Sequence, residues 1–160
     1  MYDDRASKQA AKYHLSLAGE YYVAAELQRR GIHASVTYGN AKQTDVVAFC
    51  EASTRAVVIE VKATGQRDWV VAGRTPEPAS KPWVFVHVPI DPTLSPEFFI
   101  LTQAQLHDLL APVEVRYRQR YREKHGSEAP NIGVATLPLA QAEPYKGRWD
   151  TIIDAVKAAN

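Results

Sequence analysis

Two β-branched runs constrain this chain most: TDVVAF, residues 44–49, and AVVIEVKA, residues 56–63, separated by CEASTR. Such runs around a short polar connection read as an antiparallel hairpin. Alternate strand residues share a face, so Val57, Ile59 and Val61 point one way while Ala56, Val58, Glu60 and Lys62 point the other. A hairpin centred between Ala52 and Ser53 pairs Phe49 with Ala56, Val47 with Val58, and Asp45 with Glu60. Directly opposed residues bring their Cβ atoms to roughly 5 Å. That register sets two carboxylates face to face beside a lysine; a bulge would shift it.

The other elements follow from local signals. SLAGEYYVAAELQRRG (16–31) predicts a helix closed by Gly31. ASVTY (34–38) predicts a short strand and GNAKQ a loop. WVVA (69–72), WVFVHVPI (83–90) and FFIL (98–101) predict strands, and the proline-rich GRTPEPASKP (73–82) predicts irregular chain. Thr102 with Gln105 forms a capping-box signature for a helix over TQAQLHDLL. Pro112 should divide that helix from the basic VEVRYRQRYREKHG, and GRWDTIIDAVKAAN predicts a last helix. The expected fold class is α/β, a mixed sheet flanked by helices. With 160 residues, 46% of them apolar, the chain has the size of one domain. A core over about 15–110 and a helical extension over about 111–160 are expected within it.

On the first helix Leu17, Glu20, Val23, Ala24 and Leu27 form one stripe. Glu20 is therefore an acid inside an apolar stripe, whereas Glu26 lies off it. Taken singly, Glu60 with Lys62 fits an exposed, paired strand face, and Glu20 fits a structural ion pair. Taken together, the three acids need a counter-charge, because two carboxylates about 4 Å apart repel by roughly 4 kcal/mol at an effective dielectric near 20. One lysine offsets them only in part. A divalent cation would do more, and an all-oxygen ligand set points to Mg²⁺ or Mn²⁺. The single cysteine, Cys50, excludes an internal disulfide and argues against a thiolate zinc site. The five histidines are scattered without ligand spacing.

Glycine-glutamate in the first helix, TDVVAF on one strand and EVK on the next resemble the PD-(D/E)XK nuclease superfamily. That superfamily includes archaeal Holliday-junction resolvases, many restriction endonucleases and the tRNA-intron-endonuclease-like fold. The resemblance covers about residues 15–110 and maps the motif to Glu20, Asp45, Glu60 and Lys62. Gln66 corresponds to a polar position some members use, and Thr44 stands where the motif has proline. The resemblance implies a restriction-endonuclease-like sheet in which a helix and further strands follow the E-x-K strand. It implies a Mg²⁺- or Mn²⁺-dependent endonuclease acting on DNA, leaving 5′-phosphate and 3′-hydroxyl ends. Asp45, Glu60 and the backbone carbonyl of Val61 would hold the metal, with Glu20 assisting and Lys62 acting on water or phosphate. The alternative is a catalytically inactive module of the same fold that binds nucleic acid or a protein partner. A resolvase would further need a homodimer.

Net charge is only +1, so polyanion binding would have to come from a local patch. Arg116, Arg120 and Lys124, with Tyr117 and Tyr121 one turn apart, are the candidates for phosphate and base contact. Arg74 and Lys81 flank the proline-rich segment and are weaker ones. The alternative for the basic helix is a surface element that docks its tyrosines on the core. No run of about 18 apolar residues occurs and the N-terminus lacks the apolar centre of a signal peptide. A cytoplasmic protein without a membrane partner is expected.

Overall fold

The computed structural model describes residues 4–37, 44–51, 55–130 and 133–158. Helix α1 (Asp4–Arg29) leads into β1 (His33–Val36), β2 (Val46–Phe49) and β3 (Val57–Thr64). Strands β4 (Asp68–Ala72), β5 (Pro82–His87) and β6 (Glu97–Thr102) precede α2 (Gln103–His125). The chain closes with β7 (Ala135–Pro138), α3 (Leu139–Ala142), a single 3₁₀ turn and α4 (Asp150–Ala158). Among the described residues no helix is long and apolar enough to cross a membrane. The loop expected over GNAKQ, Tyr38 and the centre of the β2–β3 hairpin lie outside the described residues.

β1, β2, β3, β5 and β6 form one mixed sheet in that order. β3 and β5 run parallel and every other neighbouring pair antiparallel. The hairpin register is the expected one, with Val47 opposite Val58 and Val46 opposite Ile59. β5 shows why the sheet is two-sided. Val84 and Val86 pack on one face with Val23 and Leu27 of α1 and Ile152 of α4. Trp83 and Phe85 pack on the other with Trp69, Phe99 and Leu106. A strand buried on both faces reads as a continuous apolar run, which is what WVFVHV is. The core extends past residue 110, since Leu137, Trp149, Ile152 and Val156 are all buried.

Four features depart from expectation. α1 begins three turns early, because Ala, Lys and Gln sustain a helix by propensity alone; residues 5–14 are exposed there and carry no apolar stripe. α2 runs unbroken through Pro112. Pro112 and Asp108 both lie on its exposed side, so the carbonyl that loses its partner to the proline faces solvent. The Thr102–Gln105 capping box is present as expected. Strand β7 is new, pairing antiparallel with β4 across an irregularity between Val70 and Ala72. Finally, no helix lies between β3 and β5, where the resemblance implies one. The crossover is made by β4 and the irregular 73–81 segment, and Trp69 of β4 fills the space over Phe85 and Phe99 at ring distances of 5.5 and 5.4 Å.

Candidate functional site

The site is built where β2 and β3 part. Pairing ends at Val46–Ile59, and one step on the carboxylate of Asp45 enters the gap. Its Oδ2 accepts the Val61 backbone N–H at 2.7 Å. A side chain thus replaces a backbone rung, while the Asp45 carbonyl still accepts from Thr37 N of the β1 side at 3.0 Å. Asp45 is therefore in the plane of the sheet, between groups on its two faces.

On the face covered by α1 the close approach occurs at Gly19. A Cβ placed there would lie 2.6 Å from the Ala63 Cβ, nearer than two carbons can pack. Glycine alone lets the helix rest on β3 at this point, and Glu20 follows immediately. Burial, and then the charge of Asp45, push the Glu20 carboxyl up to about 7, with Lys62 opposing. On the other face Glu60 is held by two ammonium groups: Lys62 Nζ at 2.8 Å on Oε1 and Lys81 Nζ at 2.7 Å on Oε2. Burial would raise the Glu60 carboxyl, but these hydrogen bonds outweigh it and hold it below its ordinary value. Asp45 is raised, by burial first, against the lowering effect of the Val61 N–H. Both lysines lie near the Trp83 ring, at 5.7 and 5.9 Å from its centroid.

Lys81 comes to the centre of the site because its loop is tied to α2. The first N–H groups of a helix have no partner within it. Here Gln103 N donates to Lys81 O at 2.8 Å and Ala104 N to Ala79 O at 2.9 Å. Sequence reading placed Lys81 only as an outer nucleic-acid contact; nothing local to SKPW could have joined it to Glu60.

Glu20, Asp45, Glu60 and Lys62 lie near one another, but Asp45 turns to the Val61 N–H instead of facing Glu60 across the strands as the register predicts. Gln66 is exposed, near Lys62 on the wall of a groove. Arg74 is not part of this cluster and lines a separate cavity with Glu114 and Tyr117. Arg116, Arg120 and Lys124 are exposed on α2. Arg118 and Arg122 of the same helix pair with Glu114 and Glu128. Tyr117 and Tyr121 are not among the core residues; their rings stand 6.4 Å apart, and Tyr121 lies 4.4 Å from His125. His87 is 3.2 Å from Glu97.

Oxygen donors suit a hard divalent cation. Burial, more than neighbouring charge, is what raises Glu20 and Asp45. Glu60, however, has both oxygens on lysines. Among the described residues no three acid, histidine or cysteine side chains stand close enough together to hold a metal ion. As placed, the acids are not gathered into a metal site, and Glu60 would have to give up a lysine before it could ligate a cation. No family model matches this chain, and no curated protein matches it.

Proposed function

We propose that this chain is a PD-(D/E)XK-type, Mg²⁺- or Mn²⁺-dependent endodeoxyribonuclease with a restriction-endonuclease-like sheet. The observation that carries this is the convergence of Glu20, Asp45, Glu60 and Lys62 at one split in the sheet, with Asp45 bound to the Val61 N–H. Asp45, Glu60 and the Val61 carbonyl would hold the cation, with Glu20 beside them. When bound it supplies Lewis acidity, lowering the pKa of water and offsetting phosphate charge.

The chain's own residues do the rest. Glu60 turning from its lysines frees two ammonium groups at the site. Lys62, on the same strand face, orients the attacking water or offsets charge developing on the phosphate. Lys81, anchored through the α2 N-terminus, steadies a neighbouring phosphate oxygen. Arg116, Arg120 and Lys124 add phosphate contacts along α2.

The double lysine clamp on Glu60 favours a second reading, a nuclease-fold module that binds nucleic acid or a protein without cutting. Incubation with labelled linear, branched and single-stranded DNAs in Mn²⁺ or EDTA separates the two. Cutting that requires both metal and Asp45 is expected of the nuclease; no cutting and no Mn²⁺ uptake by calorimetry belong to the module. Lys62→Ala should keep the fold and Mn²⁺ binding but cut at least about 100-fold more slowly. Full activity in that variant would contradict the assignment.

A further inference from the structure

A groove of about 810 Å³ opens directly beside Lys62, between α1 and the ends of β3, β4 and β5. Its volume lies in the range typical of small-molecule sites, about 300–1,000 Å³. Leu15, Ala63, Val70, Val88 and Ile90 give it apolar walls. Two of these are left in water at the lip, Val70 at 65% exposure and Ile90 at 84%. Each is a large apolar side chain that the fold does not use. Gly65 adds no side chain to the groove.

The polar groups are distributed unevenly. Lys12 and Lys62 carry positive charge at the α1 and β3 side, whereas the acid among the lining residues, Asp68, belongs to β4 together with Val70. Gln66 lies between. A ligand matching this has an anionic end at the lysines and a flat apolar body between the aliphatic walls. It also has a polar edge with donors for Asp68 and Gln66. A nucleotide has that pattern, its phosphate at Lys62 and its base in the groove. A base within a duplex is stacked on both faces and paired at its edge, so it must leave the helix to enter such a recess.

We infer that this groove holds one unpaired nucleobase next to the phosphate at Lys62, which makes single-stranded or branched DNA, rather than continuous duplex, the substrate. The assignment rests on the nuclease function proposed for the same site, and the test keeps the two apart. Binding is measured by fluorescence anisotropy in EDTA, and cleavage separately in Mn²⁺. One sequence is used as single strand, blunt duplex and flapped duplex. Wild type is expected to bind the single strand and the flap at least tenfold more tightly than the duplex. Val70→Glu and Ile90→Glu, both at exposed positions and checked for folding by circular dichroism, should abolish that preference while leaving duplex affinity unchanged. Asp45-dependent cutting with equal affinity for all three DNAs, or with no effect of either glutamate, would overturn the groove assignment and leave the nuclease standing. Absence of cutting on every DNA, with a strand preference that both variants abolish, would overturn the nuclease and keep the groove as a binding site.

Discussion

At the residue scale the site is a contest among charges. Glu60 is satisfied by Lys62 and Lys81, whereas Glu20 and Asp45 are held above their ordinary values. Releasing Lys81 should therefore favour metal. A partly exposed pair of this kind contributes about 1 kcal/mol, so Lys81→Met should tighten Mn²⁺ binding about fivefold by calorimetry. Unchanged or weaker affinity would show that Lys81 does not compete for Glu60. Glu20 makes a prediction about pH. Its folded value near 7 exceeds the ordinary 4.5, so its contribution to stability is complete below about pH 4.5. That contribution is lost as pH rises through 7. Glu20→Gln removes the loss, and its melting temperature should draw ahead of wild type across that window. Discounted for partial exposure to about 1 kcal/mol, the gap above pH 7.5 should be about 2–4 °C. A gap independent of pH would mean that the Glu20 carboxyl titrates alike in the folded and unfolded chain. Glu20, Asp45, Glu60 and Lys62 were legible in the sequence because an acid inside an apolar period is an anomaly that local periodicity exposes. Lys81 was not, since its partner Glu60 lies on β3, which becomes a neighbour of β5 only through strand order.

At the scale of elements, the α1–β3 contact decides where Glu20 sits. Alanine is the better helix former by about 1 kcal/mol, yet a methyl at position 19 would lie 2.6 Å from that of Ala63. Gly19→Ala should lower stability by about 1–3 kcal/mol in spite of propensity, as overpacking does. Adding Ala63→Gly should recover part of this in urea unfolding; no recovery would place the clash elsewhere. Helix α2 is the second element with a consequence. Its buried residues are Leu106 and Leu110, so the 15 residues from Ala111 reach about 22 Å further at 1.5 Å each. Pro112 looked like a boundary because proline disfavours helix interiors. The capping box and the Gly126 cap, with φ 67°, belong to one helix across it. Here the ends were readable from side-chain chemistry, while continuity was settled by an exposed proline that neither end encodes.

At the scale of the whole molecule, a net charge of +1 means that any affinity for DNA has to come from where the cations stand. Three arginine and lysine contacts to a single strand release about 0.7 counterion each. Replacing Arg116, Arg120 and Lys124 together by Gln should therefore lower the slope of log affinity on log salt by about 2. An unchanged slope would remove α2 from the footprint. The same distinction between local and distant order runs through the fold. By itself the sequence determined the strands β2, β3 and β5, the hairpin register, the C-terminal stop of α1 and both ends of α2, and the order of acids and lysine along the chain. These depend on backbone sterics and on neighbours a few residues apart. Only the tertiary structure decided that β4 and a proline-rich segment would take the place of a crossover helix, that β7 would pair with β4, and that β2 and β3 would part at Asp45. It also brought Lys81 to Glu60, 21 positions apart. Such contacts follow from strand order and from how two layers share one sheet, and no local period carries that information.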